Sequence, residues 1–102
     1  MDGILLGLTT PSPGREKDLL QWYRDVHFPE LLSLEGFSEA TLYRFDRTNS
    51  AGFEYGAIYH TVPGGLQTAM GAIAEGRSAG SVTVAPSGLY QETAQAWWGS
   101  RV

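Results

Sequence analysis

Two stretches near the middle of the chain, 37–46 (FSEATLYRFD) and 53–62 (FEYGAIYHTV), alternate in side-chain character and are separated by the short polar loop 47–52, which holds Asn49, Ser50 and Gly52. Alternation with period two is the mark of a strand, and two strands joined this closely form an antiparallel hairpin. A strand and a helix precede this hairpin, and a helix and a strand follow it. Residues 3–10 (GILLGLTT) read as the first strand, with Ile4, Leu6 and Leu8 on one face and Leu5 and Gly7 on the other. A helix is expected from Pro13 or Arg15 to His27 or Phe28, with Ser12 as its N-cap. Leu19, Trp22, Val26 and Leu20, Tyr23, His27 form its broad inner face. Pro29 lacks a donor and disfavours helical geometry at Phe28, so the helix is expected to kink or stop there, with a further short turn over 30–34 ended by Gly36.

After the break at Pro63-Gly64-Gly65, a weaker helix is expected over 66–75, ended by Gly76. Residues 77–88 read as loop with one extended piece at 81–84, and 89–98 as the last strand. The order is βαββαβ. Connection rules pack such a unit as one antiparallel sheet with two helices on one face, the ferredoxin-like α+β arrangement. The other face then carries apolar side chains and calls for a partner, most simply a second copy.

Composition narrows the chemistry. The chain has 102 residues, which fits one domain over 1–102. It has no cysteine, which excludes disulfides, thiolate metal sites and a cysteine nucleophile. Eleven acidic against seven basic side chains, and a single lysine, leave no basic stripe for phosphate backbones or anionic membranes. Neither nucleic acid nor a membrane is an expected partner. The apolar run Ile4-Leu5-Leu6 is too short for a leader or a span, so a cytoplasmic protein is expected.

Three stretches carry a family resemblance: Thr10-Pro11-Ser12-Pro13-Gly14-Arg15-Glu16, then Trp22-Tyr23-Arg24-Asp25-Val26-His27-Phe28-Pro29-Glu30, then Glu35-Gly36-Phe37. They resemble the EthD-like branch of the dimeric α/β-barrel superfamily. That branch shows a Pro-Gly-Arg-Glu turn, a helix with Trp-Tyr, three residues, His, any residue and Pro, and a Pro-Gly-Phe entry to the second strand. Here Glu35 stands where that proline is common. The detailed match covers the first half of the chain; the second half matches in the order and spacing of elements. The resemblance implies a ferredoxin-like protomer that forms a homodimer through its sheets. It also implies a cleft between sheet and helices for small aromatic or polyketide-like metabolites, as in secondary metabolism. Members include cofactor-free cyclases, isomerases, dehydratases and monooxygenases, and others without assigned activity, so no cofactor is expected.

With only two histidines, the case for proton transfer falls on His27. Imidazole titrates near neutrality, and Tyr23, one helical turn earlier, faces the same way. The competing reading is a structural histidine near a helix end. Trp22 is either core or a ligand platform, and the tendency of large aromatics to bury favours core. Tyr43, Tyr55 and Tyr59 suit a substrate pocket and a dimer interface equally. His60, on the face opposite Tyr59, is a second acid/base candidate or an ordinary strand histidine. A metal site from His27, His60 and a carboxylate such as Glu54 or Glu92 would require the fold to gather them, and no metal is expected. The functional expectation is a cofactor-independent cyclase, isomerase or dehydratase with His27 as general acid/base and Tyr23 assisting. The alternatives are a metabolite-binding or accessory protein for a partner oxygenase, and a cofactor-free monooxygenase. Alternation does not decide which sheet face lines the cleft.

Overall fold

The computed structural model describes residues 2–46 and 52–102. The elements run β1 (Gly3–Thr9), α1 (Glu16–Trp22), a π-helical segment (Tyr23–His27), α2 (Phe28–Leu32), β2 (Phe37–Arg44), β3 (Tyr55–Thr61), α3 (Leu66–Ala79) and β4 (Gln95–Ser100). Most of the expected hairpin loop, 47–51, lies outside the described residues. The strands form one antiparallel sheet in the order β2-β3-β1-β4. This is the α+β, ferredoxin-like arrangement read from the sequence.

Register decides the faces. Leu5 lies opposite Tyr59, Gly7 opposite Ala57 and Thr9 opposite Tyr55, and β2 adds Ala40 and Leu42 to the same side. Leu19, Tyr23 and Leu31 from the first helical rod and Ala69 and Ile73 from α3 pack on this side and complete the buried core. The other side carries Ile4, Leu6, Leu8, Ile58 and Tyr43, with Trp97 60% exposed and no element of the described chain covering it.

Several boundaries differ from the sequence reading, those of the helices for local reasons. Pro13-Gly14 forms a turn closed by the Arg15 N–H on the Ser12 carbonyl (2.9 Å), with Gly14 at φ 78°. The helix therefore begins after the turn, Arg15 occupies the cap, and Ser12 is not the cap. Pro29 does not stop the helix: the rod runs on to Leu32. A proline ring clashes with the carbonyl four residues back. Here the preceding turn opens to i→i+5 bonding, the Phe28 N–H reaching the Tyr23 carbonyl, and this relieves the clash.

In α3, Gly76 is not a terminator. A side chain there would come within 2.6 Å of Val82 Cγ2, so glycine lets the following segment pack onto the helix. The helix ends one turn later at Gly80, whose φ of 81° is the left-handed stop. Residues 81–94 are irregular apart from a bridge between Pro11 and Tyr90, so the extended piece expected at 81–84 is not formed, and β4 runs over Gln95–Ser100 where the sequence reading had 89–98.

Thr61 anchors the start of β1. Its hydroxyl accepts the Gly3 N–H (2.8 Å) and donates to the Gly3 carbonyl (3.1 Å), and all these groups are buried. Thr61→Val keeps the shape and strands both Gly3 groups, so we expect a loss of about 1–3 kcal/mol in urea unfolding.

Candidate active site

The helix-covered side of the sheet does not close completely. A cavity of about 220 Å³ remains between β1, β3, β4 and the helices, below the usual volume of drug-sized sites and suited to one or two fused rings. Its walls include Trp22, Tyr23 and His27 from the first rod, Tyr59 from β3, Arg77 from α3, and Tyr90.

The π-helical turn builds one wall. In an α-helix, residues five apart diverge by about 140° around the axis. Opening the turn to i→i+5 bonding brings such residues into line. Trp22 and His27 accordingly stack, with ring centroids 4.4 Å apart and planes 16° from parallel. Tyr23 and Tyr59 meet the imidazole by their edges, at 5.7 and 5.6 Å. His27 thus sits in a box of three aromatic rings, Trp22 being wall as well as packing. Its Nδ1 is buried without a hydrogen-bond partner among the described residues, as is Trp22 Nε1.

Burial sets the protonation states. Desolvation by burial, opposed in part by the carboxylate of Glu30 and helped to a smaller extent by Arg77, brings the His27 pKa down to about 4. The imidazole is therefore neutral at physiological pH. Glu30 itself is held by Thr83, accepting from the backbone N–H (2.8 Å) and from Oγ1 (2.6 Å); these bonds lower its pKa and tie the segment after α3 to α2. Burial raises the phenol pKa values of Tyr23 and Tyr59, so both stay protonated. Tyr23 is fixed by a hydrogen bond of 3.1 Å to Thr9.

A measurable consequence follows from the His27 shift. The folded pKa lies below the unfolded 6.5, so the unfolded chain binds the proton first as pH falls. Stability from this group is complete above pH 6.5 and is lost as pH falls toward 4. After discounting for partial exposure, the loss is on the order of 2 kcal/mol. Urea unfolding across this range should show it, His27→Gln should flatten it, and NMR titration should put the imidazole near pH 4.

The fold gathers four of the seven residues singled out in the sequence, Trp22, Tyr23, His27 and Tyr59, around this cavity. It carries the other three elsewhere. Tyr55 is on the same sheet face, four residues along β3, at a separate hollow with Leu20, Leu42 and Arg44. Tyr43 is on the open face, 52% exposed beside Phe45. His60 is also on that face, at the end of the sheet beside Ile4 and Arg101, and so does not meet His27. Arg77, Tyr90 and Thr9 line the cavity without having been singled out. The helical spacing from Ile73 to Arg77 was the available clue for the arginine.

No protein-family model matches the sequence, and no curated protein matches it. Solved structures do. The chain superimposes over its full length on an ethyl tert-butyl ether D (EthD) family protein of Bacillus halodurans, which it covers entirely, with a TM-score of 0.65 at 16% identity. The fold is that of the EthD-like proteins. Rv0793 of Mycobacterium tuberculosis shares this EthD-like fold at a TM-score of 0.62 and 13% identity, with 100% of this chain and 96% of that one covered. A Streptomyces coelicolor monooxygenase, solved in complex with nanaomycin D, does so at 0.51 and 18% identity, with 99% and 88% covered. SnoaB, a cofactor-independent oxygenase of Streptomyces nogalater, gives 0.50 and 13%, with 99% and 91% covered. At these identities the likeness establishes the EthD-like fold alone.

Proposed function

We propose that this chain is a cofactor-independent enzyme acting on a small aromatic or polyketide-like molecule, with His27 as general acid/base. The observation that carries this reading is a neutral imidazole in an aromatic box, on the wall of a cavity with no carboxylate among its described lining residues. A ring system lies against Trp22 and Tyr59. His27 removes a proton beside a carbonyl. The resulting enolate charge raises the affinity of the imidazole for that proton, which offsets its low basicity in the empty site. The Tyr23 phenol donates toward the developing oxyanion. Return of the proton to a different carbon gives isomerisation; loss of water gives dehydration; attack of the enolate carbon on a second carbonyl gives cyclisation.

The named activities of two similar structures favour a second reading. A phenol or enol deprotonated by His27 is electron-rich enough to react with dioxygen, as a cofactor-free monooxygenase would require. One experiment separates the readings. Tetralone in deuterated water, followed by proton NMR, reports deprotonation beside its carbonyl, and an oxygen electrode with a dihydroxynaphthalene reports oxygenation. Tight binding with neither signal favours a metabolite-binding or accessory protein.

No helix among the described residues is long and apolar enough to cross a membrane. The open sheet face, with Leu6, Ile58, Tyr43 and Trp97, is proposed as the surface that a second copy covers. Sedimentation at micromolar concentration should give a dimer, and Leu6→Glu, which puts a charge in the middle of that face, a monomer.

A further inference from the structure

We propose that Arg77 makes the cavity selective for a planar aromatic molecule that carries a carboxylate. This rests on the reading of the cavity as a small-molecule site and adds the charge of its ligand.

The chain carries a net charge of −4, yet among the described residues the cavity wall holds no aspartate or glutamate. Arg77 supplies the one formal charge on that wall. Arg15, Arg44 and Arg101 each face a carboxylate, at 2.8, 3.9 and 3.0 Å. Arg77 and Arg24 face none among the described residues, and of these two only Arg77 lines the cavity. Ile73, one turn earlier on α3, is buried and lines the same wall, so the helical repeat directs position 77 to the cavity.

A simpler account is that a cation near a helix C-terminus is favoured by the dipole. That explains a positive residue in the last turn of α3 but not its location on a carboxylate-free wall in an acidic protein. The exposed guanidinium stays solvated at the rim of the cavity while unliganded, so it bears no burial cost. Its planar fork matches a carboxylate through two parallel hydrogen bonds. A bicyclic acid held in this way sets its rings against Tyr59 and Trp22, within reach of His27.

The test is calorimetric titration of the protein with naphthoate and with naphthamide, its uncharged counterpart. The expected result is naphthoate binding tighter by roughly tenfold or more, a preference that raised salt weakens. Arg77→Gln should abolish the preference, weakening naphthoate far more than naphthamide, and Arg77→Lys should keep part of it. Residue 77 is exposed, and thermal unfolding of each variant checks that the fold is kept. Equal binding of acid and amide by the unaltered protein, or a preference that survives in Arg77→Gln, overturns the role of Arg77 and leaves the cavity a small-molecule site. Binding of neither compound overturns both readings.

Discussion

Replacing His27 by alanine should lower the rate of α-proton exchange from tetralone by ~10²–10⁴-fold, the usual contribution of a general acid–base group. His27→Gln should do the same while keeping side-chain volume beside Trp22. Binding of the ketone should change little, because the aromatic walls remain. Removing His27 also removes a buried nitrogen without a partner, which offsets part of the packing lost beside Trp22. The pH profile adds a second readout. In the free enzyme kcat/KM should fall on the acid side with the titration of His27, near pH 4, and not near the ordinary imidazole value of 6.5. If alanine leaves exchange intact, His27 is a packing residue and proton transfer belongs to another group.

The largest loss of stability is expected from Gly36→Ala. Gly36 has φ 102°, which a side chain rarely adopts, and a Cβ there would lie 2.8 Å from the Ala69 nitrogen and 2.9 Å from the Gly65 carbonyl oxygen. These are backbone atoms at the start of α3, which cannot turn aside as a side chain does. The Gly36 carbonyl also accepts the Val62 N–H (2.8 Å), holding the end of β3 to the entry of β2. Backbone strain and steric overlap together should cost about 3–5 kcal/mol. Gly14→Ala is the control. Its φ is similarly positive at 78°, but nothing lies within 4 Å, so only the strain of about 1–2 kcal/mol applies. Urea unfolding of both variants checks the difference.

The order of elements along the chain was legible because alternation and turn residues are local properties of the sequence, and connection rules then gave the helix-bearing arrangement. The cavity was legible in part, and its missing parts have physical causes. Helical spacing put Trp22, Tyr23 and His27 on one broad face, yet Trp22 and His27 stack only because the turn before Pro29 opens to a π-helical register. Alternation sorted Tyr59 from His60 and Tyr55 from Glu54, but a period of two is blind to which face the helices cover. It is equally blind to position along a strand: Tyr55 and Tyr59 share a face and lie about 13 Å apart. Arg77 was hidden by Gly76, because a glycine near a helix end serves either as a stop or as a close contact. Only the neighbour, Val82, tells the two apart. Tyr90 stands in an irregular stretch whose course is set by the bridge to Pro11 and not by any period.

The central claim is that an aromatic small molecule binds on the helix-covered side of the sheet, against His27. NMR mapping of a naphthoate titration tests it most directly. The account predicts that the ring signals of Trp22, Tyr23, His27 and Tyr59 shift together in a saturable manner, while those of His60 and Tyr43 stay in place. Shifts confined to His60, Tyr43 and the open face, with His27 unmoved at saturation, would contradict it.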